Sequence, residues 1–125
     1  MGRGMAIAFA YAGMGVNLID LKPRSDAAWQ QLADEAAAEL RGSLALLAQL
    51  GAVPANAVER IAARVRLVRE SEADAALATA EVVFEGVPET LEAKREALAR
   101  VCAAAPADTI IASTTSTILV PTWCR

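Results

Sequence analysis

The sequence has 125 residues, 55% of them hydrophobic, and a formal net charge of -3 with acids and bases interspersed. That length supports one domain with its own core, and the composition argues against a disordered chain. No basic stripe interleaved with aromatics is present, which excludes the usual nucleic-acid surface. The chain holds no histidine, and Cys102 and Cys124 stand far apart, so no metal site is expected. The cysteines are expected to be reduced thiols in a cytoplasmic protein. No stretch reaches the length of a membrane span.

Gly2 to Tyr11 reads as a helix that is apolar almost all round, and such a helix is expected to be buried. Gly13 is its C-terminal cap. Arg3, the apolar run and the triplet Ala10-Tyr11-Ala12 imitate a secretory leader; Gly13, Gly15 and the strand that follows argue against one. That strand starts at Val16 and ends in Asp20. Pro23 stops it. Ser25 is the expected N-cap of a long helix, about 26–50, whose stripe is Trp29, Leu32, Ala36, Leu40, Leu44, Leu47 and Leu50. Gly51 ends it. Pro54 opens a shorter helix, about 55–63. Together the two are longer than a simple crossover and are expected as a protruding helical pair.

Val65 to Val68 is a short strand and Glu72 to Ala80 a short helix. Val82-Val83-Phe84 is an apolar run suited to a buried parallel strand. Glu85 to Glu89 follow it, with Pro88 at the turn. A helix is expected over 90–103, with Leu91, Leu98, Val101 and Cys102 inward, Cys102 as a small core residue. The last strand runs from about Asp108 to Ala112, and Ser113-Thr114-Thr115-Ser116-Thr117 sits at its carboxyl end.

Strands alternating with helices predict an α/β domain of the doubly wound, Rossmann type with a parallel sheet. Ligands of such sheets bind at the carboxyl ends of the strands. Asp20, Glu85 to Glu89 and Ser113 to Thr117 all fall at such ends, and their coincidence is the sequence's physical sign of a site. The glycines and Asp20 match the back of a dinucleotide-binding unit, strand, G-x-G-x-x-G, helix, strand and acid. Gly2 serves as the last glycine; the first strand and the first two glycines are expected before residue 1.

Four segments carry a resemblance to a known family. They are Gly2-Arg3-Gly4-Met5-Ala6-Ile7-Ala8-Phe9-Ala10 with Ala12-Gly13, Val16-Asn17-Leu18-Ile19-Asp20, Val82-Val83-Phe84-Glu85-Gly86-Val87-Pro88-Glu89, and Ile111-Ala112-Ser113-Thr114-Thr115-Ser116. In order and spacing the chain resembles the NAD-binding domain of the 3-hydroxyacyl-CoA dehydrogenases, the 3-hydroxybutyryl-CoA dehydrogenases included. The third segment is the specific one; the glycine segment is shared by many nucleotide-binding proteins.

The resemblance implies the following roles. Gly2 stands where close helix–strand packing leaves no room for a side chain. Asp20 accepts the adenosine ribose hydroxyls; its charge favours NAD over NADP, with Lys22 and Arg24 acting in the opposite direction. Glu89 and Lys94 contact the cofactor. From the residues alone, Glu85 and Glu89 read either as a paired acid–base system or as a structural acid followed by a cofactor or loop contact, and the second is favoured because paired carboxylates near a turn are common without catalysis. Ser116 hydrogen-bonds the substrate's reacting oxygen. Thr114 stands where many members have Asn, and keeps a hydroxyl but not an amide. The helical pair, 26–63, resembles the arm that helps hold the CoA moiety. Full-length members are expected to be homodimers acting on acyl-CoA, and a C-terminal helical domain is expected beyond this NAD-binding part. In the family a histidine takes the hydroxyl proton. These 125 residues have none, so on their own they are expected to be inactive. With the central first strand outside the chain, the Asp20 and Phe84 strands are expected to flank an empty slot, with poor folding and feeble NAD binding in isolation. A cousin acting on another 3-hydroxy substrate, such as carnitine, fits the same residues. A reading from a different class is a non-catalytic, stand-alone nucleotide-binding or helix-pairing module.

Overall fold

The computed structural model describes residues 2–114. The chain divides into two compact units, Met1–Glu70 and Ser71–Arg125. It is an α/β protein with two parallel strand pairs, one in each unit.

In the first unit α1 (Gly2–Tyr11) leads to β1 (Val16–Ile19), α2 (Asp26–Gln49), a 3-10 turn (Ala55–Ala57), α3 (Val58–Ala62) and β2 (Val65–Val68). Two glycines end the first two helices in the same way. Gly13, at φ 98°, lets its own N–H reach the Ala10 carbonyl while the Met14 N–H reaches that of Phe9. Gly51, at φ 74°, repeats this with Ala48 and, through Ala52, Leu47. Both are Schellman closures, which need the left-handed backbone that glycine adopts without steric penalty. Arg64 donates to the Ala10 carbonyl at 3.1 Å, a cation at the negative end of α1. At the other end of the long helix, the Ser25 hydroxyl accepts from the Ala28 N–H, as its residue type predicts.

β1 and β2 pair in parallel, Val16 opposite Val65 through Ile19 opposite Val68. The core beside them is Ala10, Leu44, Val53, Ala57 and Ile61. The C-terminal half of α2 is thus built into this core, and the helical pair packs on itself and on α1. The expected stripe is buried at Ala36, Leu40 and Leu44, whereas Leu50 is the cap residue and lies exposed. The expectation of an all-round buried α1 is corrected. Only Ala6 and Ala10 are buried; Gly4, Ala8 and Tyr11 face solvent. Its contacts come from β1, α2, α3 and β2, and these engage one stripe of the helix.

In the second unit α4 (Ala73–Leu77) precedes β3 (Val82–Glu85), α5 (Leu91–Ala104) and β4 (Ile110–Ser113). β3 and β4 pair in parallel, Val82 opposite Ile110 and Glu85 opposite Ser113. Thr90 caps α5, its hydroxyl accepting from the Ala93 N–H. Here two expectations fail for one reason each. The apolar run of β3 is not buried: Val82 is 45% and Phe84 43% exposed, while Glu85 is buried. Side chains alternate across a strand, and α5 covers the face of Val83 and Glu85 only. On α5, Lys94, Ala97, Leu98 and Val101 form the inward stripe. Cys102 is one residue past Val101, about 100° round the helix, and is exposed, as is Leu91. No helix among the described residues is long and apolar enough to cross a membrane.

Candidate functional site

In the first unit, the Asp20 N–H donates to the Val68 carbonyl at 2.9 Å and so extends the β1–β2 ladder by one bond. This places the carboxylate at the carboxyl end of a parallel pair. Its Oδ1 accepts from the Lys22 N–H at 3.4 Å, and its Oδ2 forms an ion pair with the Arg24 guanidinium. The side chain is 17% exposed, so it is sheltered yet open to a ligand. A carboxylate has about four acceptor positions, and two partners leave capacity for the two hydroxyls of a ribose. The residues present therefore fit that group.

Gly2 begins α1 beside β1. A Cβ built there meets Leu18 Cδ1 at 3.4 Å, ordinary van der Waals contact with the end of a flexible side chain.

In the second unit the structure brings Glu85, Glu89 and Lys94 together. The Lys94 side chain is 0% exposed. Its Nζ lies 2.9 Å from Glu85 Oε2 and 3.0 Å from a carboxylate oxygen of Glu89. Glu85 Oε1 accepts from the Val87 N–H at 2.7 Å, and Oε2 also accepts from Ser113 Oγ at 2.5 Å. The Glu85 main-chain carbonyl accepts from both the N–H and the hydroxyl of Thr114, each at 3.2 Å. Burial alone would raise the Glu85 carboxyl. Hydrogen bonds from Ser113, Lys94 and Val87, with the lysine's charge, outweigh it and hold the carboxyl below its usual value. Burial alone would lower the Lys94 ammonium, but the two glutamates hold it above its usual value. Both groups are ionised at neutral pH. The cluster carries one positive and two negative charges, and Glu89, with its side chain 39% exposed, is the member that meets solvent.

Of the expected site residues, Glu89, Lys94 and Thr114 thus share one bonded network at the ends of β3 and β4. Gly2 and Asp20 belong to the first unit. Ser116 lies outside the described residues, as do Thr115, Thr117 and Cys124. Glu85 and Ser113, which the sequence places in the polar clusters at the strand ends without a cofactor or substrate contact of their own, also enter the network. The available signal was the alternation of β3, which puts Glu85 on the same face as Val83, toward the following helix and its lysine.

Parallel strands with an acid after the first and a polar network at the carboxyl ends of the last two define a Rossmann-type nucleotide-binding domain of the dehydrogenase class. Residues 1–123 match the family described as 3-hydroxyacyl-CoA dehydrogenase, NAD binding domain, and the chain belongs to that family. It is a family of NAD-dependent oxidoreductases, and NAD is this domain's cofactor. The fold is similar to that of 3-hydroxybutyryl-CoA dehydrogenase from Escherichia coli K12, with 27% identity and a TM-score of 0.79, covering 98% of this chain and 24% of that one. A diketoreductase gives 26% identity and a TM-score of 0.79, over 97% of this chain and 40% of that one. The (S)-3-hydroxybutyryl-CoA dehydrogenase from Ralstonia eutropha gives 28% identity and a TM-score of 0.74, over 94% and 38%. An L-carnitine dehydrogenase from Streptomyces griseus is 51% identical over 51 residues, 41% of this chain and 15% of the relative. The chain therefore spans well under half the length of each of these proteins.

Proposed function

We propose that the complete protein carrying this domain interconverts 3-hydroxyacyl-CoA and 3-ketoacyl-CoA, in the cytoplasm and as a homodimer. Bound NAD supplies the hydride acceptor, and as NADH the donor, for the carbon bearing the hydroxyl. Asp20 accepts the adenosine ribose hydroxyls, beside the helix that Gly2 opens. Glu89 and Lys94 bind the cofactor as a pair, with Glu89 presenting the accessible oxygen, and the Thr114 hydroxyl adds a polar contact. Ser116 hydrogen-bonds the reacting oxygen of the substrate and so fixes its orientation. Residues 26–63 help to hold the CoA moiety. The 125 residues alone, part of a larger NAD-binding and helical assembly in this reading, have no histidine to take the hydroxyl proton and are inactive.

The observation that supports this reading best is the ionised Glu85–Lys94–Glu89 network at the strand ends, in a chain that belongs to this family over residues 1–123. The match at 51% identity over 51 residues favours a second reading, L-carnitine as the substrate. One assay separates them. The complete protein is incubated with NAD and either 3-hydroxybutyryl-CoA or L-carnitine, and NADH formation is followed by absorbance. Turnover of the thioester supports the first reading; turnover of carnitine alone replaces it with the second. If neither turns over, both substrate readings fall.

A further inference from the structure

Glu85 is bonded to three separate segments at once. Its carboxylate holds the Val87 N–H of the 86–90 loop, the Lys94 ammonium in the first turn of α5, and the Ser113 hydroxyl at the end of β4. Its main-chain carbonyl holds Thr114 twice. Among the described residues, Glu85 and Lys94 are the buried charged side chains. Stability is a poor reason for such a pair, because apolar side chains of similar volume often serve a fold as well or better. Ion pairs of this kind impose position: each oxygen dictates where its partner's donor must stand. Lys94, fully buried, cannot offer its own charge to solvent, but it bonds Glu89, which is partly exposed. The serine–threonine run begins at Ser113, where Glu85 holds it.

We propose that Glu85 is the positioning residue of the cofactor site, fixing Lys94 so that Lys94 aims Glu89, and anchoring the chain where it enters the serine–threonine run. This rests on the NAD reading of Glu89, Lys94 and Thr114 given above. Glu85 itself touches neither cofactor nor substrate in this role.

The test uses the complete protein carrying this domain, with Glu85→Gln and Glu85→Asp. Glutamine keeps the shape but has one oxygen in place of two, so it can accept either from the Val87 N–H, as Oε1 does, or from Lys94 and Ser113, as Oε2 does, and not from all three. Amide hydrogen exchange is measured by NMR, and NADH affinity by fluorescence titration. In Glu85→Gln, exchange at Val87 or at Thr114, whichever segment loses its acceptor, is expected to accelerate about tenfold or more while Leu18 and Leu67 in the β1–β2 ladder keep their rates, and the NADH Kd is expected to rise about tenfold. Glu85→Asp is expected to recover part of the affinity. Wild-type exchange at Val87 and Thr114 in the glutamine variant overturns the proposal, as does an unprotected Val87 in the parent. Accelerated exchange with unchanged affinity reduces Glu85 to a fold residue and also overturns it. A complete parent protein that binds no NADH overturns the NAD reading, and the cofactor half of this proposal with it; the exchange rates then still decide whether Glu85 holds the three segments.

Discussion

Lys94→Met is expected to lower the stability of the second unit by about 3–5 kcal/mol, the range seen when one partner of a buried ion pair is removed. The Lys94 side chain is fully buried, and its loss leaves Glu85 with a charge facing a hydrophobic stem. Ser113 and the Val87 N–H remain, and they partly compensate it. Methionine matches the length of the lysine stem, so the effect reports charge and hydrogen bonding rather than a cavity. Thermal melting followed by tryptophan-independent far-UV circular dichroism, with exchange rates in β3–β4, gives the number. A companion variant decides the cause. Glu85→Leu combined with Lys94→Met removes both charges and is expected to recover most of the loss, because the cost lies in orphaning one charge. A double variant as unstable as the single would show that packing, not electrostatics, holds this unit.

The same pair sets a pH window. The Glu85 carboxyl is below its ordinary value of 4.5 in the folded chain, so its contribution is present above that value and is lost as pH falls through the folded one. The Lys94 ammonium is above its ordinary value of 10.5, so its contribution is present below that value and is lost as pH rises through the folded one. The stability of the second unit is therefore expected to be flat across neutral pH and to fall at both extremes. Urea melts across pH test this. A slope near neutrality in the second unit would mean that one of the pair changes charge there.

Asp20→Asn is expected to weaken NADH binding roughly 10- to 100-fold, since hydrogen bonds to a charged acceptor contribute about 1.5–3 kcal/mol. It is also expected to bring the NADPH affinity closer to that for NADH. In the proposed site the Asp20 carboxylate would repel a 2′-phosphate; the Lys22 N–H and the Arg24 guanidinium bond it. With Asp20 neutralised, Arg24 loses its ion-pair partner and its guanidinium becomes available to phosphate oxygens. Paired fluorescence titrations with NADH and NADPH read both effects. An unchanged NADH affinity would remove Asp20 from the site, and an unchanged preference would show that Arg24 takes no part in discrimination.

What could be read from the sequence was local. Ser25 and Thr90 cap helices because a hydroxyl before a helical run can meet an orphan N–H within its own turn. Gly13 and Gly51 close helices because only a left-handed residue completes that hydrogen-bond pattern. The order of strands and helices, with their parallel character, followed from alternation and spacing, and the polar clusters then fell at the strand ends. Tertiary structure decided what depends on partners distant in sequence. Val82 and Phe84 are as apolar as Val83, yet they lie on the face that α5 does not cover. Cys102 follows Val101 by one residue, about 100° round the helix, and that rotation puts it in solvent. Most of all, a lysine on an amphipathic helix reads as solvated; that Lys94 is buried between two glutamates follows from Glu85 lying nine residues earlier on the inward face of a strand, a juxtaposition only the folded β3–α5 pair creates.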